Sequence, residues 1–380
     1  MDGSGASVPP VNIVILQHTF NPTTMGWVRG LEARGHRVLT IIANAKEPHG
    51  GWPKDLEVQL IPDRDGWFSR LAARLLPGRR AAIYRTPDPR LLRRTLQDFA
   101  ADAVLVKVYS LRNVVALLVA VTLRLRRAAW IEQVPPPNRE WRILRRLAVL
   151  PRRMFTALDA RHGGIADPLE RPAGGMPVIT YAPVIPPAVD RPAFDGRPVR
   201  VLTVASFWDL EPKRAHWTLE AARDAGLLDG SATFTFVGLG REESAGLVHL
   251  RRLIEDAVAG DLADVRLGVP FKDMPEVYDA HDLLVLPSSR EQFGMAVPEA
   301  MAHGLAVVAS DIVGSVGCIV PGATGELFPA TDREELGRVL RALVEDPQRI
   351  ARMGAAGREF IVRHGSPDVT AAMLERLLQR

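Results

Sequence analysis

Two series of short apolar segments, separated by a proline-rich stretch, constrain the fold of this chain more than any other feature of its sequence. Val11–Leu16 has the continuous apolar composition of a strand buried on both faces, and Val199–Ala205 begins the second series in the same way. Segments with helical periodicity follow the strands, and strands that alternate with helices indicate a parallel, doubly wound sheet. The stretch between Met176 and Pro198 contains six prolines, which preclude a helix and suit a connector.

The chain is therefore predicted to be an α/β protein with two Rossmann-like, doubly wound domains that face each other across a cleft. Its 380 residues are too many for one hydrophobic core and enough for two domains. We place the N-terminal domain at residues 1–190 and the C-terminal domain at residues 191–365, and we expect a final helix at 366–380 that crosses back to the N-terminal domain. Helical periodicity also predicts helices at Asn138–Ala157 and Lys213–Ala225.

Composition excludes several classes of protein. Cys318 is the only cysteine, so the chain has neither an intramolecular disulfide nor a cysteine-ligated metal cluster. The longest apolar run, Val114–Leu123, is about half of the length that a membrane-spanning helix needs. Residues 1–10 lack the basic and apolar regions of a signal peptide. These features predict a cytoplasmic protein.

Charge is distributed unevenly between the two halves of the chain. Residues 1–198 carry 29 Lys and Arg against 17 Asp and Glu, whereas the remainder carries 19 against 27. A basic half indicates an anionic partner, and the basic segments 67–80 and 142–153 have the composition of helices that lie in a lipid headgroup layer. Helices packed on a sheet with arginine on their solvent side have the same pattern. The sequence leaves open whether this charge marks an anionic acceptor or membrane, or only an abundance of arginine.

Residues 287–311 contain the most informative motif. A buried strand runs into a polar turn, Gly294 opens a helix, and Gly304 ends it before another buried strand. The first amide groups of a helix have no partner within it and form an anion site that suits a diphosphate, and Gly294 lets the backbone approach a phosphate closely. These amide groups belong to Met295, Ala296 and Val297.

Two glutamates of this motif are candidate ligands of a nucleotide sugar. Glu291 precedes the helix and can reach into the cleft, and Glu299 lies near the first helical turn, where a carboxylate can accept hydrogen bonds from two ribose hydroxyls. Each glutamate alone is better explained as an ordinary charged group. Their combination with the strand–turn–glycine–helix–glycine–strand pattern favours a functional role.

The same residues resemble the signature of a known family. Glu291-x-Phe293-Gly294 followed by Glu299-Ala300-Met301-Ala302-x-Gly304 is similar to the E-x7-E signature of retaining glycosyltransferases of family 4, which have the GT-B fold. Three further motifs are similar to those of the family: Gly322-x-x-Gly325-Glu326-Leu327, Phe236-Val237-Gly238-x-Gly240 and Gly35-His36-Arg37-Val38. The resemblance covers most of residues 199–365 and, more weakly, the N-terminal half.

The resemblance implies that the C-terminal domain binds the sugar donor. Glu299 would bind the donor ribose, Glu291 would contact hydroxyls of the transferred sugar, and Lys213 would neutralise the leaving diphosphate. Arg214 would replace an arginine that the family carries after the preceding strand and that is missing here. The other implied donor-binding residues are Ser206, Gly238, Phe293, Gly294, Met295, Ala296 and Val297.

The N-terminal domain would hold the acceptor, and there the sequence departs from the family. The glycine pair that normally follows the first strand is missing, and segment 21–26, which ends in Gly26, occupies its region. The histidine that commonly ends a strand of this domain would fall near Glu132 or Gln133. The acceptor-side candidates are therefore Gly26, Glu132 and Gln133.

The activity that the resemblance implies is transfer of a sugar from a nucleotide-diphosphate sugar to an unidentified acceptor, with retention of the anomeric configuration. No metal or other cofactor is expected. The expected partners are a lipid-linked or small-molecule acceptor and an anionic membrane surface, and no nucleic acid. Two alternatives stay open: a sugar-nucleotide epimerase, and a catalytically silent module that binds sugar nucleotides, the latter because the arginine and the glycine pair are missing.

Two further motifs favour other functions only weakly. Asp63-Arg64-Asp65 has the D-x-D pattern that holds a divalent metal in the other large glycosyltransferase fold, yet such triplets arise by chance in a chain with 44 acidic residues. Gly238-Leu239-Gly240 lacks the third glycine of a dinucleotide-binding fingerprint and is followed by acidic residues, which argues against a dehydrogenase.

Overall fold

The structure is a computed structural model in which two parallel sheets are flanked by helices. It describes residues 9–17, 24–43, 56–64, 86–107, 111–131, 153–156, 179, 182–188, 194, 196–257, 260–291, 293–312 and 317–379. The predicted basic segment 67–80, and the segment 142–153 except for Arg153, lie outside these residues.

The N-terminal sheet has six parallel strands, and β1 lies near its centre. The strands of this half are β1 (Asn12–Gln17), β2 (Arg37–Ile42), β3 (Val58–Leu60), β4 (Asp63–Arg64), β5 (Thr86–Pro87), β6 (Ala103–Lys107), β7 (Arg126–Ile131) and β8 (Arg153–Thr156). Their order is β3-β2-β1-β6-β7-β8, and β4 pairs with β5 in a separate antiparallel ladder. The register places Ile13 of β1 between Val38 of β2 and Ala103 of β6.

Helices cover both faces of this sheet. They are α1 (Met25–Ala33), α2 (Pro89–Asp98) and α3 (Leu111–Thr122). Because successive side chains of a strand point to opposite faces, Ile13 packs with Trp27 of α1, whereas Val14 packs on the other face with Leu92 of α2. Burial on both faces accounts for the continuous apolar sequence of β1.

The C-terminal sheet repeats this design. Its strands are β9 (Val199–Ser206), β10 (Ala232–Leu239), β11 (Ala263–Leu267), β12 (Leu283–Leu286), β13 (Ala306–Ser310) and β14 (Glu326–Phe328), in the order β11-β10-β9-β12-β13-β14. Its helices are α4 (His216–Asp224), α5 (Ala245–Asp256), α6 (Met274–Asp279), α7 (Ala296–Ala302), α8 (Arg333–Glu345) and α9 (Pro347–His364). Leu283 and Val285 of β12 face one core, and Leu284 and Leu286 face the other.

The last helix, α10 (Pro367–Gln379), packs against α1 of the N-terminal half. Gly30 permits the close approach, because a Cβ atom there would lie 2.0 Å from the carbonyl oxygen of Pro367. Glu375 of α10 accepts a hydrogen bond from Nε of Arg34 and lies against Nε2 of His36, both at 2.7 Å. Burial opposes the ionisation of Glu375, but these hydrogen bonds hold its pKa below the ordinary value.

The predicted pair of Rossmann-like, doubly wound domains is confirmed, with two local corrections. Residues Arg153–Thr156 were predicted to end a helix but form β8, because they pair in parallel with β7 at the edge of the sheet. The helix predicted from Lys213 begins only at His216, since Arg214 has a positive φ of 46° that a right-handed helix excludes. Among the described residues, no helix has the length and apolar character needed to cross a membrane.

Candidate active site

The C-terminal sheet has a crevice at its carboxyl edge, where the strand order changes direction. β10 and β11 extend from one side of β9, whereas β12 pairs with the other side. The loops that follow the strands diverge at such a point, and open α/β sheets bind ligands there. A cavity of about 460 Å³ occupies this position. Ser206, Gly238 and Leu286, at or next to the last residues of β9, β10 and β12, form part of its wall.

Two glycines shape this cavity. At Gly238 a Cβ atom would lie 1.6 Å from the carbonyl oxygen of Ala205, so β9 and β10 can approach here only without a side chain. Gly294 has a φ of 74°, a left-handed conformation that residues with a side chain rarely adopt. Both glycines line the cavity together with Ser206. Three of the predicted donor-binding residues, from three separate segments, therefore meet at one place.

Lys213 and Glu291 form an ion pair on the cavity wall. Nζ of Lys213 donates to Oε2 of Glu291, and Oγ of Ser288 lies 3.4 Å from the same oxygen. The backbone holds the two loops together, since the amide of Ser289 donates to the carbonyl oxygen of Pro212 at 2.8 Å. Among the described residues that line the cavity, Lys213 is the only basic one. An anionic ligand in this cavity would therefore contact Lys213 and compete with Glu291 for the ammonium group of Lys213.

Glu299 and Tyr278 form the second polar pair. The hydroxyl of Tyr278 donates to Oε2 of Glu299 at 2.7 Å, and both residues line the cavity. Burial raises the pKa of Glu299 to about 7, and the hydrogen bond from Tyr278 offsets only part of the rise. Burial, followed by the charge of Glu299, raises the pKa of Tyr278 well above its ordinary value, so the hydroxyl stays protonated. The carboxylate of Glu299 keeps further acceptor capacity for hydroxyl groups of a ligand.

The start of α7 contributes two of the three predicted residues to the cavity. Met295 and Ala296 line it. The amide of Val297 instead donates to the carbonyl oxygen of Gly294 at 2.9 Å, and its side chain is fully buried in the core. The turn before the helix therefore already uses the amide group of Val297, whereas Met295 and Ala296 lie at the cavity wall.

Arg214 does not share the position of its neighbour Lys213. Its Nη1 donates to the carbonyl oxygen of Ala330 at 2.6 Å, its Nε donates to Glu211, and its guanidinium group lies over the ring of Trp217 at 4.4 Å. Arg214 has a positive φ of 46°, and it is not part of the cavity wall. The structure therefore does not bring Arg214 to the cavity beside Lys213, and its role as a replacement for the missing arginine of the family stays a prediction.

The remaining predicted residues lie elsewhere. Phe293 is buried in the core that the N-terminal sheet and α10 share, so its ring packs between segments and does not line the cavity. Gly26 lies under the backbone of Ala182, where a Cβ atom would be 2.0 Å from the carbonyl oxygen. Close packing accounts for a glycine at this position, and its role on the acceptor side stays a prediction. Glu132 and Gln133 lie outside the described residues.

Sequence reasoning missed Tyr278 and the apolar part of the cavity. Besides Tyr278, this part includes Val269, Phe271 and Met274, all of which precede or belong to α6. The local sequence contains no motif for them, since the hydrogen bond from Tyr278 to Glu299 spans 21 positions. The usable signal was the position of α6 directly after β11, at the carboxyl edge of the sheet.

Asp63 of the D-x-D triplet has a structural partner. Its Oδ1 accepts a hydrogen bond from Arg112, whose side chain is 1% exposed. Asp65 lies outside the described residues. The ion pair accounts for Asp63 without a metal, so the described part of this triplet does not support the metal hypothesis.

Comparison with known proteins agrees with this geometry. Residues 198–346 match the family model described as glycosyl transferases group 1. The chain is 30% identical over 126 residues to D-inositol 3-phosphate glycosyltransferase 1 of Catenulispora acidiphila, which covers 33% of this chain and 30% of the relative. It is 32% identical over 155 residues to a GDP-mannose-dependent monoacylated alpha-(1-6)-phosphatidylinositol monomannoside mannosyltransferase of Corynebacterium glutamicum, with 39% of each chain covered. The chain thus spans about a third of the length of the curated relatives it matches.

Solved structures extend the likeness to the whole fold. A glycosyltransferase from Rickettsia africae superposes with a TM-score of 0.72 at 12% identity, covering 98% of both chains. The Anabaena protein HepE in complex with UDP and glucose gives a TM-score of 0.67 at 15% identity, covering 97% of this chain and 99% of the other. Residues 198–346 are therefore similar to the group 1 glycosyltransferases, and the chain as a whole has the GT-B fold that the sequence motifs predicted.

Proposed function

We propose that this protein transfers a sugar from a nucleotide-diphosphate sugar to an acceptor with retention of the anomeric configuration. The observation that supports this most strongly is the crevice cavity, where the Lys213–Glu291 and Tyr278–Glu299 pairs lie with the Gly294 turn. The group 1 match of residues 198–346 includes all five of these residues. The related fold of a structure that holds UDP and glucose gives further support.

Lys213 supplies the electrostatic part of the proposed reaction. As the bond between the anomeric carbon and the phosphate oxygen breaks, its electrons pass to the diphosphate, and an ammonium group stabilises the growing charge. The acceptor hydroxyl attacks the anomeric carbon from the face that the diphosphate leaves, and its proton passes to the departing phosphate oxygen. Glu291 contacts hydroxyls of the transferred sugar. No step needs a metal or another cofactor.

The other side of the cavity suits the nucleoside. Glu299 accepts hydrogen bonds from the ribose hydroxyls, while the hydroxyl of Tyr278 holds the carboxylate in place. Phe271 and Met274 offer apolar surface for the base. Because Glu299 is most effective as an acceptor when it is ionised, donor binding should weaken as the pH falls below the pKa of about 7.

A screen of nucleotide sugars tests the proposal. Thermal unfolding is measured with UDP-, GDP-, ADP- and dTDP-sugars, since a ligand that binds only the native protein raises the melting temperature. Hydrolysis of the donor that binds is then followed with and without candidate acceptors. A transferase releases the nucleotide slowly and faster with its acceptor, whereas an epimerase interconverts the sugars. The position of Arg214 away from the cavity favours the silent module as the second candidate, and that protein would bind the donor without cleaving it.

We further propose a lipid-linked or phosphate-bearing acceptor at the inner face of the cytoplasmic membrane. The excess of basic residues in the N-terminal half supports this proposal, as do the inositol phosphate and phosphatidylinositol monomannoside in the names of the relatives. Co-sedimentation with anionic and with zwitterionic vesicles, at low and high salt, tests it. The expected result is binding to anionic vesicles at low salt, and reversal of this binding at high salt. No binding at low salt would restrict the acceptor to a soluble molecule.

A further inference from the structure

A second group of polar side chains lies apart from the cavity, where α4 meets α5. His216 and Glu220 are four positions apart, which puts them on the same face of α4, and His249 of α5 lies opposite. Each residue offers a nitrogen or carboxylate oxygen, and these three atoms lie within 4.8 Å of one another. Nε2 of His249 is 3.7 Å from Oε1 of Glu220, and the two imidazole rings meet edge to face with centroids 5.1 Å apart.

Two imidazoles and one carboxylate form a donor set that suits zinc. A tetrahedral Zn²⁺ bonds such ligands at about 2.0–2.2 Å, which places the ligand atoms roughly 3.4 Å from one another. The 3.7 Å separation of His249 and Glu220 already approaches this value. Small side-chain rotations would close the set without movement of either helix. We propose that His216, Glu220 and His249 bind Zn²⁺ or a similar divalent transition-metal ion, which links α4 to α5.

The two histidines are available as ligands. In the described part of the structure neither ring makes a hydrogen bond within 3.5 Å, and Nε2 of His249 lies 3.7 Å from Oε1 of Glu220.

Glu220 is held in place by a residue behind it. Its Oε2 accepts a hydrogen bond from Nη1 of Arg333 at 2.5 Å, which leaves Oε1 directed to His249. Nη2 of Arg333 is fixed in turn by Asp224 at 3.0 Å. Carboxylates that bind metals are commonly oriented by outer partners of this kind. The side chain of His249 is 37% exposed, so an ion can enter from solvent and keep a water molecule as its fourth ligand.

Zinc binding to the full-length protein tests the site, independently of any transferase activity. The chain has nine histidines, so the comparison of variants carries the result. Metal-free wild type, His216→Asn and His249→Gln are titrated with Zn²⁺ against a chromophoric chelator, and circular dichroism verifies that each variant is folded. His364→Gln, on α9, is the matched control. The two test variants change different helices, so failure of one to fold leaves the other informative.

Wild type and His364→Gln should bind one equivalent of Zn²⁺ more than either test variant, or bind that equivalent at least tenfold more tightly. Zn²⁺ should raise the melting temperature of wild type and of His364→Gln, but not of the two test variants. Equal Zn²⁺ binding by wild type and both test variants, or no binding by wild type, would overturn the proposal.

Discussion

Replacement of Glu299 by glutamine should stabilise the protein and weaken its binding of the donor. Glutamine keeps an oxygen that can accept the hydrogen bond from Tyr278, now 2.7 Å long. It removes a charge from a half-buried position at which loss of solvation makes that charge raise the free energy of the native state. Stability and function place opposite demands on this residue, as is common where a binding site must hold a polar group out of water.

The pKa of Glu299 gives the magnitude. In the native protein it is about 7, against an ordinary value of 4.5, and this difference corresponds to about 3.4 kcal/mol. In the wild type, the neutral carboxyl group of Glu299 contributes this free energy to the stability of the native state. The contribution is fully present below pH 4.5, the unfolded-state pKa, and is lost as the pH rises through 7, the native-state pKa. Glutamine does not ionise. The variant should therefore exceed wild type by less than about 1 kcal/mol at pH 5 and by about 3 kcal/mol at pH 8.

Urea unfolding at pH 5 and pH 8 measures the stability difference, and calorimetry with the preferred nucleotide sugar measures binding. Glu255→Gln, at an exposed position of α5, is the control and should change stability by about 0.5 kcal/mol or less at both pH values. Donor binding by Glu299→Gln should weaken by about 1.5–3 kcal/mol, the contribution of hydrogen bonds to a charged group. A variant no more stable at pH 8 than at pH 5 would refute the burial argument, and unchanged donor affinity would remove Glu299 from the ribose role.

Three further substitutions test other parts of the structure. Lys213→Ala should lower the turnover number more than it weakens donor binding, and Lys272→Ala, at an exposed position, is the control. If steady-state and binding assays show a loss of donor affinity alone, Lys213 contacts the donor only in the ground state. Gly238→Ala should lower the free energy of unfolding by about 3 kcal/mol, because its Cβ would meet a carbonyl oxygen at 1.6 Å. Gly260→Ala, with open space around it, should have little effect, and equal urea midpoints for the two variants would contradict this argument. Glu375→Gln should lower the free energy of unfolding by about 2–3 kcal/mol at pH 7 and by progressively less as the pH falls toward 3, since the pKa of this carboxylate lies below its ordinary value. A decrease that does not depend on pH would show that the charge of Glu375 is unimportant.

The sequence predicted the elements whose signals are local. The apolar runs of β1, β9 and β12 are buried on both faces and were recognised for that reason. Gly294 was identified because a strand, a turn and a helix follow one another within a few residues, and its φ of 74° agrees with that interpretation. Lys213, Glu291 and Glu299 then meet in one cavity.

The differences between the sequence-based expectations and the structure concern contacts between distant parts of the chain. Arg214 lies beside Lys213 in sequence, but its direction depends on Ala330, 116 positions away. Residues Arg153–Thr156 have a pattern compatible with a helix, and only their pairing with β7 makes them a strand. Tyr278 could not be matched with Glu299 because nothing in a single sequence specifies which side chains meet across a crevice. Such choices are fixed by tertiary packing.

Cleavage of nucleotide sugars, followed by proton NMR of the first sugar released, tests the central claim most directly. One donor of the UDP-, GDP-, ADP- and dTDP-sugar panel should be cleaved by wild type, and the first anomer formed should have the configuration of the donor. Lys213→Ala should abolish most of that cleavage while its fold and donor binding persist. Release of the inverted anomer would contradict retention. A donor that binds but is never cleaved, with or without candidate acceptors, would contradict the assignment of this protein as a transferase.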